Sequence, residues 1–439
     1  MTLMTFRHLT GVGDANVAGT GRKAVCAALD IGTHKIVCVI ARVRPAAEEG
    51  AAAEIEVVGV GHQESRGVKA GVIVDLGAAE TAIRGAIDGA ERMAGLTVDE
   101  VVVAASCGRI RSEIYEIGVP VPSGQVRQED LDRVLRTARA QPREDARLTL
   151  HSLPLGYALD ENEGVRDPRG MYGDRLSVGM HVVTAEPGPL RNLALGVDRC
   201  HVRIDRLAIA PLASALATLS EDEADLGAIC VDMGAGCTGL AYFVDGMFVH
   251  ADSVALGGQH VTLDMARGLS TPMSQAERLK ALHGSVLTDA HDGSQTIEVP
   301  VVGSDDGADE VHRIPKSYIA RIVRPRVEET LELLRDRLAA TGIGGRGERR
   351  IVLTGGASQL NGLDELARRI LHGQVRIAPP RPFKGKVAAM SGPGFATVSG
   401  LIAYAQTAEI EARSGIDEQA LRGDQGYFAR VGRWLKESF

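Results

Sequence analysis

Two apolar runs on either side of a short glycine turn open the patterned part of the chain. Residues 24–43, AVCAALDIGTHKIVCVIARV, are rich in β-branched residues around Gly32–Thr33, which predicts a β-hairpin. The same pattern returns in residues 227–246, GAICVDMGAGCTGLAYFVDG. The aspartates at these turns, Asp30 and Asp232, are 202 residues apart, which is too far for a solenoid repeat. The chain is therefore predicted to hold two similar domains, each opening with a hairpin that carries an acid and glycines at its tip.

Amphipathic helices and short strands fill the sequence between and after these hairpins. Ile83, Ile87 and Met93 are predicted on one face of a helix from about Ala78 to Ala94. The other predicted elements are strands near 54–63, 71–76, 98–106, 175–185, 297–303 and 311–315, helices near 129–140, 258–268, 274–283 and 316–340, the last with a kink at Pro325, and a strand, glycine turn and helix over 349–371.

Composition narrows the class of protein. With 44% hydrophobic and 24% charged residues, the 439-residue chain is expected to be globular. It has only seven Phe, seven Tyr and one Trp, so its core must be aliphatic. The net charge of −8 disfavours non-specific binding to nucleic acid, which relies on basic surface. Six cysteines without a C-x-x-C pair argue against a zinc site or a disulfide framework and favour a reducing cytoplasm.

Two segments could be mistaken for targeting or membrane signals. Residues 1–20 lack the apolar core of a signal peptide and are expected to form a flexible lead-in. The window Leu226–Val244 is long and apolar enough to span a bilayer. However, an acidic residue such as Asp232 near a helix centre costs about 2.5–3.5 kcal/mol on insertion, and glycines weaken a helix. We therefore expect strand, turn and strand there, and no transmembrane helix.

The last thirteen residues differ from the aliphatic remainder. Four aromatic residues lie there, after a polar segment, 406–426, that is predicted to be a linker. Apolar side chains share one helical face, with basic side chains opposite or at its edge, which is typical of a helix in a membrane interface. The alternative is a terminal helix that docks on its own domain. The residues predicted to bind membrane are Tyr427, Phe428, Arg430, Val431, Arg433, Trp434, Leu435, Lys436 and Phe439.

Three glycine-rich turns that follow apolar strands carry the candidate chemistry. They are DIGTHK at 30–35, DMGAGCT at 232–238 and TGGAS at 354–358. Glycine permits φ > 0 and lets backbone N–H groups approach an anion closely. A carboxylate beside such a turn would repel phosphate directly, but it can hold phosphate through Mg²⁺ and its waters. Two hairpins could thus face each other across a nucleoside triphosphate, with the third turn at the nucleoside.

The order of these turns on two duplicated domains resembles the actin/Hsp70/sugar-kinase superfamily, with its phosphate-1, phosphate-2 and adenosine motifs. Within it, the chain is similar to the FtsA family of bacterial cell-division proteins over about residues 24–439. The more specific stretches are DIGTHKI, SRGVKAGVIVDL, VDMGAG, PMSQAERLKALHG, IVLTGGASQLNGL and the C-terminal amphipathic tail. The resemblance implies an α/β fold of the actin-like class, with duplicated RNase H-like domains and a relocated α+β subdomain, 1C.

The resemblance also implies how the chain is divided. Four subdomains would lie between a flexible N-terminus and a C-terminal anchor. The segments are the N-terminus 1–23, subdomain 1A at 24–96 and 178–205, subdomain 1C at 97–177, subdomain 2A at 206–257 and 329–405, subdomain 2B at 258–328, the linker 406–426 and the amphipathic membrane-targeting helix 427–439.

By resemblance, the three turns and one helix would bind ATP and Mg²⁺, with Asp30 and Asp232 holding the metal, mainly through water. Glu277 and Lys280 match positions that hold the adenosine end, although Ser274 and Glu277 also fit a helix capping box. Lys35 could instead be a solvated surface lysine. The residues implied to line the nucleotide site are Asp30, Gly32, Thr33, Lys35, Asp232, Gly234, Gly236, Cys237, Thr238, Glu277, Lys280, Gly355, Gly356 and Ala357.

The phosphate-2 turn departs from the D-x-G-G-G-T-x-D pattern of Hsp70-like ATPases. Ala235 replaces a glycine, Cys237 the threonine and Gly239 the second aspartate. Backbone N–H groups can still bind phosphate, but a hydroxyl and a carboxylate that would position water or metal are lost. We therefore expect ATP binding with weak or negligible hydrolysis, and no catalytic residue is identified.

The resemblance implies a membrane adaptor in cell division. The protein would form actin-like filaments on the cytoplasmic face of the bacterial inner membrane, at the division septum. There it would bind anionic lipid, tether the tubulin-like protein FtsZ and recruit later divisome proteins. The site for the FtsZ C-terminal tail would lie in subdomain 2B, where Arg321, Arg324 and Arg326 are candidates, unless they are ordinary surface arginines.

Two other functions are compatible with the same fold. A pilus-assembly adaptor of the PilM type would share the nucleotide domain and the inserted subdomain, but it gives no reason for the amphipathic tail. A small-molecule kinase needs a base aimed at the substrate hydroxyl, and the sequence offers no convincing candidate. ADP release that depends on a small substrate would favour the kinase.

Overall fold

The computed structural model describes residues 24–44, 54–141, 146–288, 294–301, 311–342, 349–385 and 390–407. The strands in these ranges are β1 (Val25–Ile31), β2 (Lys35–Arg44), β3 (Glu54–Glu64), β4 (Val68–Lys69), β5 (Val72–Ile73), β6 (Glu100–Ala105), β7 (Arg111–Pro120), β8 (Leu148–Leu159), β9 (Asn162–Val165), β10 (Arg175–Ala185), β11 (Arg203–Ile209), β12 (Ala228–Met233), β13 (Thr238–Val244), β14 (Met247–Val254), β15 (Thr296–Pro300), β16 (Val311–Pro315), β17 (Arg349–Thr354), β18 (Gly373–Ile377) and β19 (Lys384–Gly385). The α-helices are α1 (Leu76–Ala94), α2 (Gln128–Arg139), α3 (Pro187–Asp198), α4 (Ala210–Thr218), α5 (Glu221–Leu226), α6 (Gly258–Leu269), α7 (Met273–His283), α8 (Lys316–Ala340), α9 (Leu363–Leu371) and α10 (Ala396–Thr407). Gly356–Gln359 and Pro393–Phe395 form 3₁₀ turns.

Two sheets of the same design organise the chain. The first sheet has the order β11-β6-β1-β2-β3-β19, and the second has the order β14-β13-β12-β17-β18. In each sheet the opening hairpin and the strand after it pair antiparallel, and two later strands join in parallel beside the first strand of the hairpin. The duplication that the sequence predicts is therefore confirmed at the level of strand order and direction.

The two opening hairpins also share their register. Asp30 lies opposite Val37, and Asp232 lies opposite Gly239, so each aspartate pairs with the residue seven positions later. In each turn the glycine N–H donates to the carbonyl oxygen three residues on, at 3.0 Å in both cases. Similar local sequences thus produce the same turn twice, and each turn lies at the same end of its sheet.

Helices α4 and α10 pack against each other and connect the two sheets. Helix α10 contacts β1 and β6 of the first sheet, whereas α4 contacts β12 and β13 of the second. A Cβ atom added at Gly400 of α10 would lie 1.6 Å from the Ala213 carbonyl oxygen of α4, so only glycine permits this approach. Since all nine residues of α4 are buried, the helix pair belongs to the main aliphatic core.

Glycines also bring α1 close to the first sheet. A Cβ atom at Gly61 of β3 would lie 1.8 Å from the Ala86 carbonyl oxygen of α1. Ile83 and Ile87 are buried against this sheet as predicted, but Met93 is 43% exposed. Met93 follows Ile87 by six residues, which turns a helix by about 600° and carries the side chain off the buried face. The prediction that Met93 shares that face was wrong.

A second aliphatic core lies on the second sheet and is formed with helices α6 to α9 and the hairpin of β15 and β16. Helix α8 runs over the predicted residues, with Pro325 inside it. The helices predicted at 258–268 and 274–283 are α6 and α7, which confirms both to within one residue at each end.

The four-stranded sheet β7-β10-β8-β9 carries α2 and has an aliphatic core of its own. It spans residues 111–185, whereas the sequence places subdomain 1C at 97–177. Strand β6 lies outside this sheet because it pairs in parallel with β1 and β11, and β10 lies inside it because it pairs with β7 and β8. Both boundaries therefore shift toward the C-terminus.

Three other predicted boundaries cross elements of the structure. The division at 205/206 cuts β11, which pairs along its length with β6 of the first sheet. The division at 328/329 cuts α8, which is one continuous helix. The linker predicted from residue 406 begins inside α10, which ends at Thr407. Strand pairing and helix continuity, which no local composition reveals, place these boundaries.

The inserted sheet contacts the second sheet through polar groups that are buried or partly buried. The Ala251 N–H of β14 donates to Ser112 Oγ of β7 (3.1 Å), and His181 Nε2 of β10 lies 2.5 Å from the same oxygen. The His181 ring packs edge-on against Phe248 with centroids 4.7 Å apart. Burial lowers the pKa of His181 to about 3, so its imidazole is neutral at this contact.

The apolar window Leu226–Val244 forms strands β12 and β13 around a turn, as the sequence predicts. Within the described ranges, no helix is both long and apolar enough to cross a membrane. The N-terminal segment 1–23, most of the predicted linker and the amphipathic helix 427–439 lie outside the described residues.

Candidate functional site

The first two glycine turns pack directly against each other. A Cβ atom added at Gly236 would lie 2.3 Å from Thr33 Oγ1 and 2.7 Å from Ala70 Cα. Thr33 Oγ1 in turn accepts the Gly71 N–H at 3.0 Å, which anchors the first turn to the loop between β4 and β5. The tips of the two duplicated hairpins therefore meet with no room for a side chain between them.

The third turn completes the cluster. A Cβ atom at Gly355 would lie 2.4 Å from Asp232 Oδ1, so the third turn rests on the carboxylate of the second. A Cβ atom at Gly394 would lie 3.3 Å from Lys35 Nζ and 3.5 Å from Gly356 Cα. All three turns that the sequence singles out thus converge in one place, which we call the candidate site.

Glycine is needed in these turns for close approach more than for backbone conformation. Of Gly32, Gly234, Gly236 and Gly355, only Gly355 has a positive φ, at 84°. At Gly32 and Gly234 a Cβ atom would lie 2.8 and 2.9 Å from the carbonyl oxygen three residues on. The expectation of φ > 0 was therefore wrong for the two hairpins and correct for the third turn.

Two carboxylates lie at the floor of the candidate site. Burial raises the pKa of Asp30 to about 7, and repulsion from Asp232 adds to this rise while Lys35 opposes it. Burial also raises the pKa of Asp232, against hydrogen bonds to its Oδ2 from Ser214 Oγ (2.7 Å) and Thr397 Oγ1 (3.0 Å). Both carboxylates are thus destabilised as anions, and a cation placed between them would relieve this repulsion.

This donor set fits Mg²⁺ better than a metal held by protein alone. Among the residues that the structure describes, no group of three or more His, Cys, Asp or Glu side chains could hold a metal ion. Mg²⁺ is commonly bound through one or two carboxylates together with phosphate oxygens and water. Asp30 and Asp232 supply those carboxylates.

Lys35 is half-buried, so the alternative of a solvated surface lysine was wrong. Its Nζ lies 3.3 Å from the centroid of the Phe395 ring. Burial lowers the pKa of Lys35, and attraction to Asp30 opposes this shift. Within the described part of the chain, its ammonium has neither a hydrogen-bond acceptor nor an ion-pair partner, so its donors remain available to an anion.

Glu277 and Lys280 form a small network at one side of the site. Lys280 Nζ donates to Gly258 O (3.1 Å), Thr262 Oγ1 (2.8 Å) and Glu277 Oε2 (2.8 Å). The Thr262 hydroxyl also lies 2.5 Å from Glu277 Oε2. All three N–H donors of Lys280 are engaged, and one of them fixes the orientation of the Glu277 carboxylate. Both Lys280 and Thr262 bind Oε2, so Oε1 of Glu277 remains free to accept a hydrogen bond from a ligand.

The capping-box alternative for Glu277 was wrong. Helix α7 begins at Met273 with Pro272 as its N-cap, and no side chain caps it. The Glu277 carboxylate accepts a hydrogen bond from Thr262 of α6, and the N-terminus of α6 is hydrogen-bonded to the second turn, where the Gly258 N–H donates to Gly234 O at 3.0 Å. The network is thus joined to the glycine turns through the backbone.

The surroundings of residues 237–239 show what the departures of the second turn from the Hsp70-like pattern mean structurally. Cys237 Sγ faces the Ser106 carbonyl oxygen at 3.8 Å, and burial raises the pKa of this thiol to about 12. Thr238 is buried, and its hydroxyl donates to the backbone of the segment before α6. A Cβ atom at Gly239 would meet the Pro211 ring at 3.0–3.2 Å, so the proline crowds the position of the second carboxylate.

Four side chains that the sequence does not single out take part in the candidate site. Ser214 and Thr397 hold Asp232, Phe395 contacts Lys35, and Thr262 joins Glu277 to Lys280. The segment SGPGFATVSG has two glycines and a proline before a helix, which was the one available signal for Phe395 and Thr397. The roles of Ser214 and Thr262 depend on helix packing and have no local signature.

The three candidate arginines of α8 differ in their surroundings. The Arg321 guanidinium lies 5.7 Å from the Tyr318 ring and has no carboxylate partner among the described residues. The other two are engaged in ion pairs within the chain. These pairs are Arg324 with Glu328, and Arg326 with Asp264 and Glu329.

Solved structures of similar shape define the class of fold. A chain of the PilM–PilN type IV pilus biogenesis complex superposes with a TM-score of 0.59 at 19% identity, covering 88% of this chain and 99% of that chain. The ADP-bound MreB5 of Spiroplasma citri gives a TM-score of 0.52 at 14% identity, covering 90% and 100%. With the duplicated sheets described above, this likeness shows that the fold is actin-like, as the sequence predicts.

Relatives by sequence define the family. The model of the family described as Cell division protein FtsA matches residues 229–400, and that of the SHS2 domain inserted in FtsA matches residues 107–184, which cover the sheet of β7 to β10. The cell division protein FtsA of Rhizobium meliloti (strain 1021) is 49% identical over 423 residues, 95% of this chain and 96% of that protein. The chain belongs to the FtsA family of cell division proteins.

The contact between Gly355 and Asp232 predicts how the third turn responds to substitution. Gly355→Ala should lower the free energy of unfolding by about 1–3 kcal/mol, because it strains the backbone and places Cβ against Asp232 Oδ1. Gly356→Ala is the matched control, since its Cβ atom would meet nothing within 4 Å. Thermal denaturation of both variants without nucleotide measures the difference. Equal stabilities would contradict the close packing of the second and third turns.

Proposed function

We propose that the chain binds ATP with Mg²⁺ at the candidate site and acts as a nucleotide-dependent membrane adaptor in cell division. The observation that carries the nucleotide proposal is the convergence of three glycine turns, two carboxylates and one lysine with available donors. Membership of the FtsA family supports the role in cell division.

Each part of the site has a role in this proposal. Backbone N–H groups of the two hairpin turns would face the phosphates, where close approach requires glycine. Asp30 and Asp232 would hold Mg²⁺ mainly through its waters, and Lys35 would contact a phosphate directly. Glu277 Oε1, left open by the Lys280 network, would accept a hydrogen bond from a ribose hydroxyl, with Gly355, Gly356 and Ala357 at the nucleoside.

Slow or negligible hydrolysis is part of the proposal. Phosphoryl transfer to water requires a group that positions the attacking water. Cys237 faces a backbone carbonyl, and Pro211 packs against Gly239, so neither of these two altered positions supplies such a group. Nucleotide would then control conformation or assembly by being bound.

Removing one carboxylate charge tests the nucleotide proposal. Asp232→Asn should weaken binding of ATP in the presence of Mg²⁺ by about tenfold or more, because it removes one negative ligand while keeping an oxygen for Ser214. Isothermal titration calorimetry with Mg²⁺ and with EDTA measures both the loss and its dependence on metal.

Asp88→Asn, on the exposed face of α1, is the control for that experiment and should bind as the wild type does. Unchanged affinity of Asp232→Asn would show that the second turn does not hold the metal and phosphate. ADP release that appears only with an added small-molecule substrate would point to the kinase alternative.

The membrane part of the proposal rests on the sequence of residues 427–439. On a helical wheel its aromatic and aliphatic side chains would share one face, flanked by Arg430, Arg433 and Lys436. One short helix of this kind gives reversible binding, and assembly of many chains would add avidity. We propose that this segment holds the protein on the cytoplasmic face of the inner membrane at the division site.

Co-sedimentation with vesicles rich in phosphatidylglycerol tests the anchor. Truncation after Gln425, or Trp434→Glu, should abolish pelleting because the apolar face is removed or made anionic. Trp434→Phe is the matched control and should still pellet. Persistent pelleting of the truncated chain would assign membrane binding to another part of the protein.

The partners proposed for the chain are FtsZ, further copies of itself in an actin-like filament, and later division proteins. Support comes from the family and from the resemblance of its motifs. Among the α8 arginines, Arg321 is the best candidate to contact the FtsZ C-terminal tail, since Arg324 and Arg326 already have carboxylate partners.

Charge reversal on α8 tests the FtsZ site. Arg321→Glu should weaken binding of a fluorescent FtsZ C-terminal peptide by about tenfold, because it removes an exposed charge and introduces its opposite. Arg369→Glu on α9, an exposed arginine that is paired with Glu365, is the control and should have no effect. Peptide binding that survives Arg321→Glu, Arg324→Glu and Arg326→Glu would move the site away from α8.

A further inference from the structure

The Lys35 ammonium lies on the face of the Phe395 ring. Its Nζ is 3.3 Å from the ring centroid, well inside the distance at which a cation is attracted by the negative face of an aromatic ring. Lys35 opens β2 in the first sheet, whereas Phe395 ends the 3₁₀ turn before α10. The contact therefore joins the first glycine turn to a segment far away in sequence.

The backbone on both sides of Phe395 is held by the other two turns. Before it, the Pro393 carbonyl oxygen accepts the Gly355 N–H at 3.2 Å. After it, Thr397 Oγ1 donates to Asp232 Oδ2 at 3.0 Å. The ring is thus fixed relative to the second and third turns, and it presents one face to the lysine of the first.

Lys35 and Asp30 carry opposite charges but form no ion pair, and the Lys35 ammonium lies instead on the Phe395 ring. Attraction to Asp30 opposes the lowering of the Lys35 pKa by burial, but the two charged groups do not come within the 4.0 Å of an ion pair. A direct Lys35–Asp30 pair would neutralise both groups and occupy the lysine donors. Lys280 in the same site differs from Lys35, because all three of its N–H donors have acceptors within the protein.

We propose that Phe395 is a positioning residue that holds the Lys35 ammonium away from Asp30, so that the lysine can meet a polyphosphate anion while Asp30 faces the cation that accompanies it. The inference rests on the proposed function, because it assigns a role in the same site. Phe395 acts through Lys35 and need not touch the nucleotide. An aromatic face offers attraction without a hydrogen-bond acceptor, so it holds a cation without using its donors.

A double-mutant cycle in the full-length chain tests the role of the ring. Phe395→Leu should weaken binding of ATP with Mg²⁺ about 5–10-fold, within the range that a partly desolvated cation–π contact supplies. Phe395→Tyr keeps the aromatic face and should bind within about twofold of wild type. In a Lys35→Met background, Phe395→Leu should cause no further loss, because the ring then has no cation to position.

Two results would overturn the inference while leaving the proposed function in place. One is an equal loss from Phe395→Leu with and without Lys35, which would indicate a packing role alone. The other is a Phe395→Tyr variant that binds as weakly as Phe395→Leu. Failure of the wild-type chain to bind ATP with Mg²⁺ would instead overturn the proposed function, and with it the inference.

A second readout without nucleotide separates positioning from general damage. The wild type, Phe395→Leu, Lys35→Met and the double variant should be compared by thermal unfolding. The loss of stability in the double variant should be smaller than the sum of the two single losses, since the contact exists in the protein alone. Additive effects on unfolding would contradict the contact itself.

Discussion

The Asp232 carboxylate is the point on which the architecture of the site depends. Its Oδ2 accepts hydrogen bonds from Ser214 on α4 and from Thr397 on α10, the two helices that connect the sheets. Its Oδ1 lies so close to the third turn that only glycine fits at residue 355. One buried acidic group thus links the helix pair, the second turn and the third turn. Breaking a buried polar link of this kind is costly, because the remaining hydroxyls lose their partner.

The charged groups of the site are held apart, so that most of them are free to contact a ligand. Burial raises the pKa values of Asp30 and Asp232, and the Lys35 ammonium lies on an aromatic ring. Lys280 uses its donors within the protein, one of them to orient Glu277. Two acidic groups and one lysine with free donors therefore surround the place where the turns converge. This arrangement suits the proposed metal–polyphosphate ligand, which carries charges of both signs.

The close packing of glycines leaves no room for side chains at several contacts between the turns and between α4 and α10. Gly236 against Thr33, Gly355 against Asp232 and Gly400 against Ala213 each mark a contact with no room for a Cβ atom. Such contacts make the relative position of the two sheets sensitive to small shifts at the turns, because packed interfaces do not deform continuously. A ligand that bears on the turns is therefore well placed to influence how the two sheets sit together.

Local patterns predict much of this fold. Apolar runs on either side of a glycine turn predict both hairpins, the helix predicted at 316–340 is α8, and the repeated turn sequence predicts the duplication, because strand and turn preferences act over a few residues. What the local pattern misses depends on distant partners. Packing decided that Met93 is exposed and that β6 belongs to the first sheet and not to the inserted one. It also decided that Gly32 and Gly234 are needed for close approach and not for a positive φ.

The sequence alone determined the candidate carboxylates, the three turns and the family, since these are carried by short motifs. Only the tertiary structure brought in Ser214, Thr397 and Phe395, which lie 18, 165 and 360 residues from the groups they contact. It also decided that the donors of Lys35 are free while all three donors of Lys280 are engaged, a difference that neither local sequence indicates. The physical reason is that the partners of a side chain are set by which elements the fold packs together, and no local preference encodes that choice.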